Sequence, residues 1–169
     1  AKALPVGDGI EEKYKMGPLV HARRLAAIEA LVDDARKSGA KLQAGGARLK
    51  SPGYFYAPTV LSDVPNTARI MNEEPFGPVA VINSFSDYDA VIQQANRLPY
   101  GLAAFAFTNS AHRAKLVGEQ LEAGMVGVNT FAISVPESPF GGVKESGHGS
   151  EEGIEGLEAC LVTKFISEA

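Results

Sequence analysis

Residues 72–79, with the sequence NEEPFGPV, bring together side chains that could bind a ligand; we call them the acidic corner. Pro75 biases Glu74 toward an extended backbone, and Pro78 restricts the residue before it in the same way. A carboxylate fixed like this can accept hydrogen bonds from a ribose diol, and the ring of Phe76 can pack on a flat ring. In the alternative interpretation Glu74 is merely solvated and Phe76 fills the core, and the residues alone leave both open.

Cys160 is the single cysteine and the other candidate for chemistry, as a nucleophile activated by a histidine. Its apolar neighbours predict instead a buried strand position, since free cysteine usually behaves as a small core side chain. The histidines lie far apart in the sequence, which predicts surface positions and no metal site: His21, His112 and His148.

The elements that precede the acidic corner are predicted from periodicity. Apolar residues recur at helical spacing over residues 25–35, and Gly39 is a typical C-cap. KLQAGG and APTVLSDV are short strand candidates, separated by a turn-rich segment.

The elements after the corner alternate between strand and helix. Strands are predicted over residues 79–85, 102–107 and 125–129. Ser86 is predicted to cap the first intervening helix, and Ser110 and Gly124 to bound the second. Such alternation with short connections predicts an α/β fold with a parallel sheet.

Two further segments follow the last of these strands. Residues 130–150 have no clear period, and we call them the long loop; a loop of this length at the carboxyl end of a parallel strand is typical of a ligand site. The terminal sequence ACLVTKFISEA predicts an apolar strand that pairs with another subunit or domain.

Bulk composition excludes several classes of function. The chain has 169 residues and a net charge of −4 without clusters of basic residues, which disfavours nucleic-acid binding. No apolar stretch is long enough to span a membrane, and the N-terminus does not resemble a signal peptide. A single cysteine fits a reducing compartment, so we expect a cytoplasmic location.

Several motifs occur in order along nearly the whole chain: GPLV, GYFYAPTVLSDV, NEEPFGPV, NRLPYGLAAFAFT, GMVGVNT and SPFGGVKESGHG. Together they resemble the C-terminal part of an NAD(P)-dependent aldehyde dehydrogenase. The segment GVNTFAIS is most similar to the succinate-semialdehyde and ketoglutarate-semialdehyde branch. The resemblance implies a parallel-sheet, three-layer catalytic-domain fragment, with residues 1–155 in the catalytic domain and residues 156–169 as an oligomerisation strand.

The resemblance also implies roles for individual residues. Glu74 matches the carboxylate that holds the nicotinamide ribose, and Phe76 matches the aromatic residue that packs near the nicotinamide. Phe140 matches a wall of the substrate tunnel. Ser134 stands where other branches carry a bulky aromatic, and a serine there helps to hold the remote carboxylate of a semialdehyde acid. Glu151 matches a second glutamate that assists proton transfer.

The chain also departs from the family pattern. The family's nucleophilic cysteine, its base glutamate and its cofactor domain lie upstream of the segment that residues 1–18 resemble, and Cys160 is not that cysteine. The parent enzyme would form a thiohemiacetal, transfer a hydride to the nicotinamide and hydrolyse a thioester.

These implications define two rival hypotheses. In the first, the parent protein uses NAD or NADP to oxidise a small aldehyde, such as succinate semialdehyde, to a carboxylate. It would be a homodimer or homotetramer, and this chain would be inactive alone. In the second, the chain is a stand-alone module that uses the same fold for assembly or ligand binding.

Overall fold

The computed structural model describes all 169 residues and divides the chain into two compact units. The first unit is Ala1–Ser84 and the second is Phe85–Ala169. The predicted domain of residues 1–155 spans both units, and its boundary stays a prediction.

Helix α1 (Ala22–Lys37) of the first unit has a side-chain cap at its start and a glycine turn at its end. His21 is the N-cap, and its Nδ1 atom accepts a hydrogen bond of 3.0 Å from the backbone N–H of Arg24. Gly39 has a φ of +105°, and the N–H of Ala40 donates to the carbonyl of Ala35 at 3.0 Å. This is a Schellman motif, so the predicted helix and its glycine C-cap are confirmed.

Three strands form the sheet of the first unit: β1 (Lys41–Ala44), β2 (Thr59–Ser62) and β3 (Val79–Ile82). The order is β1-β2-β3, antiparallel between β1 and β2 and parallel between β2 and β3. Between β2 and β3 the chain passes through a 3₁₀ helix (Arg69–Met71) and then the acidic corner.

The buried face of α1 contributes to two clusters of core side chains. Its apolar residues follow the spacing that the sequence predicts, because positions three and four apart share one helix face. One cluster is Leu31, Ala35, Leu61, Val64, Ala68 and Ile70, and the other is Leu25, Ile28, Val32 and Tyr56.

The second unit contains two pairs of strands and three helices. Strands β5 (Ala103–Ala106) and β6 (Met125–Val128) are parallel and are joined by helix α3 (Ala111–Gln120). Strands β4 (Tyr100–Gly101) and β7 (Val143–Lys144) are antiparallel. Helix α2 (Tyr88–Asn96) precedes β4, and helix α4 (Gly153–Glu158) follows β7.

The α/β class with parallel strand pairs is confirmed, but the strands lie in three small sheets instead of one. Strand β3 pairs with β2 and makes no ladder with β5. The predicted cap of α2 is also wrong by one residue, because Asp87 rather than Ser86 accepts the N–H of Ala90, at 2.6 Å. Ser110 does cap α3, as predicted.

Gly124 does not close helix α3, which ends at Gln120 with Leu121 as its C-cap. Gly124 instead lies where two backbone segments meet. A Cβ atom at this position would lie 1.9 Å from the carbonyl oxygen of Gly141. The glycine is therefore required by close packing and not by a helix end.

The C-terminal segment differs from the predicted strand. Residues 153–158 form helix α4, and residues 161–169 have no regular structure in this chain. Cys160 is exposed, with its Sγ atom 3.7 Å from the carbonyl oxygen of Gly156, so its predicted burial in a strand is wrong. Strand pairing of the last residues with another subunit stays a prediction.

The second unit leaves much apolar surface uncovered. Its buried apolar side chains are only Val117 and Met125. Helices α2 and α3 and strand β5 line an apolar groove of about 510 Å³, to which Phe105 and Phe107 contribute.

The helices of the structure are too short or too polar for any of them to span a membrane.

The buried phenol of Tyr56 predicts a loss of stability at high pH. Burial, aided by the carboxylates of Glu29 and Asp33, raises the pKa of Tyr56 from 10.0 to about 12. Because the folded-state pKa exceeds the unfolded-state value, this contribution is present below pH 10 and is lost as the pH rises toward 12.

We therefore expect Tyr56→Phe to lose less stability than the wild type between pH 10 and pH 12, measured by urea denaturation. Tyr54→Phe is the control, because the ring of Tyr54 is 42% exposed, and it should follow the wild type. Parallel curves for wild type and Tyr56→Phe would contradict the prediction.

Candidate functional site

The acidic corner lies directly on helix α1. A Cβ atom at Gly77 would be only 2.6 Å from the Cδ1 atom of Ile28, a fully buried residue of α1. The carbonyl oxygen of Pro78 accepts a hydrogen bond of 2.8 Å from the N–H of Thr59 at the start of β2. The corner is thus held by the helix on one side and by the sheet on another.

The backbone of the corner turns sharply through local hydrogen bonds. The N–H of Phe76 donates to the carbonyl of Glu74 at 3.1 Å, and the N–H of Val79 donates to that of Gly77 at 2.8 Å. Bonds between residues two apart are typical of γ-turns. Together with the two prolines they give the corner the single shape that the sequence predicts.

The two carboxylates of the corner have different environments. Glu73 accepts two hydrogen bonds from the guanidinium of Arg69, at 2.8 and 2.9 Å, and this pair holds the pKa of Glu73 below its usual value. Glu74 is exposed, and its carboxylate has no hydrogen-bonding or ionic partner in the chain. Only Glu74 is therefore available to a ligand.

Phe76 does not fill the core, so that part of the alternative interpretation is wrong, whereas the exposed Glu74 agrees with its other part. Its side chain is 62% exposed, although it lies next to a glycine packed on a buried residue. The guanidinium of Arg24, in the first turn of α1, lies 5.4 Å from the centre of the ring. That distance is within the range of a cation–π interaction.

This arrangement fits a nicotinamide nucleotide. A carboxylate without a partner can accept hydrogen bonds from both hydroxyl groups of a ribose. An exposed aromatic ring two residues further along the chain can pack on a planar base. Glu74 and Phe76 satisfy these conditions on a rigid backbone.

The other predicted site residues lie in the second unit, where the structure pairs two of them. The N–H of Phe140 donates to the carbonyl of Glu151 at 2.7 Å, and the N–H of Glu151 donates to the carbonyl of Phe140 at 2.7 Å. Both residues line a pocket of about 280 Å³ that His148 also borders. The bridge thus closes the second half of the long loop, with Glu151 and Phe140 at the same pocket.

Ser134 lies in the same loop but not at this pocket. Its side chain is exposed, and it follows Phe131, whose ring lies 5.3 Å from that of Phe105 and 4.9 Å from that of Phe107. These ring contacts fix the start of the loop to strand β5 and the residue that follows it.

Lys144 anchors the middle of the long loop. Its Nζ atom donates to the carbonyl oxygen of Asn96, the last residue of helix α2, at 2.8 Å and to that of Leu98 at 3.2 Å. The same atom lies 2.5 Å from the carboxylate of Glu122. One ammonium group thus donates hydrogen bonds to two backbone carbonyls and forms an ion pair with one carboxylate.

Sequence reasoning missed the roles of Arg24 and Lys144. Arg24 lies four residues before Ile28, so both occupy one helix face, but nothing in the sequence indicates that the corner packs there. Lys144 lies two residues after Gly142 in the glycine-rich motif SPFGGVKESGHG. A lysine in such a motif is the signal from which its role as an anchor could have been predicted.

Comparisons with known proteins agree on one family. A model of the aldehyde dehydrogenase family matches residues 1–166. The chain is 50% identical to 4-(hydroxymethyl)benzenesulfonate dehydrogenase TsaD1 of Comamonas testosteroni, over 98% of this chain and 34% of the relative. It is 44% identical to a probable NADP-dependent succinate-semialdehyde dehydrogenase of Sinorhizobium fredii, again over 98% and 34%.

A solved structure is also similar. The NAD+ complex of an aldehyde dehydrogenase from Bacillus cereus matches with a TM-score of 0.88 and 38% identity, over 94% of this chain and 32% of that one. The chain therefore spans about a third of the length of the curated relatives that it matches.

The contacts of Lys144 predict a structural role for it. We expect Lys144→Met to lower the free energy of unfolding by about 1 to 3 kcal/mol, because it leaves two backbone acceptors without their donor. Urea denaturation of the chain measures the effect.

Lys115→Met is the matched control, since the Lys115 ammonium contacts only the exposed carboxylate of Glu119, at 3.8 Å. We expect it to change stability by less than about 0.5 kcal/mol. Equal effects of the two substitutions would show that the backbone contacts of Lys144 contribute nothing.

Proposed function

The chain belongs to the aldehyde dehydrogenase family, and on this premise we propose that the protein that carries it oxidises an aldehyde to a carboxylate with NAD or NADP. The observation that carries the proposal is the acidic corner. It presents a carboxylate without a partner and an exposed aromatic ring on a backbone held between helix α1 and strand β2.

In this proposal the residues of the corner bind and orient the cofactor. Glu74 accepts hydrogen bonds from the ribose next to the nicotinamide, and Phe76 packs near the nicotinamide ring. The bound nicotinamide supplies the hydride acceptor of the oxidation. The backbone of the corner fixes the Cα positions of both residues before the cofactor arrives, so that only side-chain freedom remains to be lost on binding.

The proposed substrate is a small aldehyde with a remote anionic group, such as succinate semialdehyde. Ser134 offers an exposed hydroxyl donor to that group, and Phe140 forms part of the wall of the substrate tunnel. The names of the two relatives support a substrate with an acidic group. One name contains a benzenesulfonate, and the other contains succinate semialdehyde, which carries a carboxylate.

Glu151 is proposed to assist proton transfer near the reacting thiol of the parent enzyme. Its backbone is fixed to that of Phe140 by two hydrogen bonds, and the residue is exposed and lines the pocket. An exposed carboxylate on a fixed backbone can exchange protons with water and remain in position.

Three further proposals concern the protein as a whole. The chain alone is inactive, because residues 1–169 do not contain the nucleophile and base that the family uses. The parent is a homo-oligomer, a dimer or a tetramer, which the exposed apolar side chains of Val162, Phe165 and Ile166 support. Its location is cytoplasmic, which the single cysteine supports.

The cofactor site predicts different effects for neighbouring carboxylates. In the full-length protein, we expect Glu74→Ala to slow NAD(P)H formation from succinate semialdehyde by roughly ten- to a hundredfold, because charged hydrogen bonds to the ribose are lost. The midpoint of urea denaturation should not change, since Glu74 has no partner in the chain.

Glu73→Ala is the matched control and should do the reverse. It breaks the ion pair with Arg69, so we expect a slightly lower denaturation midpoint and little change in rate. An unchanged rate for Glu74→Ala with a lowered midpoint would refute its role. Activity of this chain alone would refute its proposed inactivity.

The substrate proposal predicts selective effects at Ser134. We expect Ser134→Phe to lower kcat/KM for succinate semialdehyde about tenfold more than for propanal. The phenylalanine ring would occupy the space of the remote carboxylate, and the hydroxyl donor would be lost. Ser134→Ala separates the two causes, since it removes only the hydroxyl. Equal losses for both aldehydes would contradict the contact with the remote carboxylate.

A further inference from the structure

Two neighbouring residues of the acidic corner match two positions on one face of helix α1. Gly77 lies over Ile28, and the ring of Phe76 lies over the guanidinium of Arg24, one turn earlier. Residues four apart share a helix face, so the corner lies along the helix over at least one turn.

Arg24 has no other charged partner in the chain. None of the ion pairs includes it, and its backbone N–H is fixed by the cap of the helix, where it donates to Nδ1 of His21. The guanidinium of Arg24 therefore interacts with the ring of Phe76, at 5.4 Å from its centre, rather than with a carboxylate. Its helix position also limits where the side chain can point.

Phe76 needs such a restraint. With 62% of its side chain exposed, the ring has few packing contacts that would select one rotamer. A ring that must stack on a ligand binds it more tightly when its orientation is already selected, because less entropy is lost on binding.

We propose that Arg24 is a positioning residue that holds the ring of Phe76 in the orientation in which it packs near the nicotinamide. The inference rests on the cofactor site proposed above and adds to it a residue from outside the corner. Arg24 acts through Phe76 and does not itself contact the cofactor.

A double-mutant cycle in the full-length protein tests this, with the dissociation constant of NADH or NADPH as the readout, whichever the wild type binds more tightly. Fluorescence of the reduced nicotinamide measures it. We expect Arg24→Met to weaken binding about two- to fivefold, as loss of an exposed cation–π contact predicts, and Arg24→Lys to restore most of the affinity. In a Phe76→Leu background, Arg24→Met should have no further effect.

Arg23→Met is the control, because it removes the same charge from the adjacent residue, which faces a different side of the helix and has no contact with Phe76. It should leave binding unchanged. An effect of Arg24→Met that persists in the Phe76→Leu background, or no effect in either, would overturn the proposal. Failure of the wild type to bind either nucleotide would refute the cofactor site itself, and the inference with it.

Discussion

The architecture of the first unit depends on the absence of a side chain at Gly77. A Cβ atom at this position would lie 2.6 Å from the Cδ1 atom of Ile28, so any other residue would force the buried isoleucine or the corner to shift. The contact brings the acidic corner onto the helix whose face forms the core, and Thr59 then ties the same segment to the sheet. The helix, the parallel pair β2–β3 and the acidic corner therefore share one point of closest packing.

The two units restrain their candidate residues by different physical means. The corner relies on prolines, short turns and a bidentate ion pair that occupies Glu73 and leaves Glu74 unpaired. The long loop relies on backbone contacts: a bridge between Phe140 and Glu151, and glycines that let chain segments approach closely. In both cases the backbone is held while the side chain with the proposed chemistry stays accessible.

Local features of the sequence predicted local structure well. Helix α1 and its glycine cap, strand β2 and the Ser110 cap follow from spacing and side-chain chemistry that act within a few residues. The sheet membership of β3 could not be predicted, because strand order depends on pairing between segments far apart in sequence. The helix that replaces the start of the terminal strand shows the ambiguity of short apolar segments, which fit either period.

The same limit explains the site. The prolines of the corner predict its fixed backbone, and its two candidate residues are two positions apart, so both could be named from the sequence. The contact of Phe76 with Arg24 joins segments separated by some fifty residues, and no pattern encodes it. The choice between the two carboxylates is local instead, because Arg69 pairs with Glu73 four residues later and leaves Glu74 without a partner.

The anchoring of the long loop has a consequence for how this protein can change during evolution. Two of the three groups that Lys144 contacts are main-chain carbonyls, which every amino acid carries. Asn96 remains constrained, because its side chain donates to the carbonyl of Gln120 and accepts the N–H of Glu122. At Leu98 the contact with Lys144 sets no requirement on the side chain, so selection for this anchor falls on the lysine.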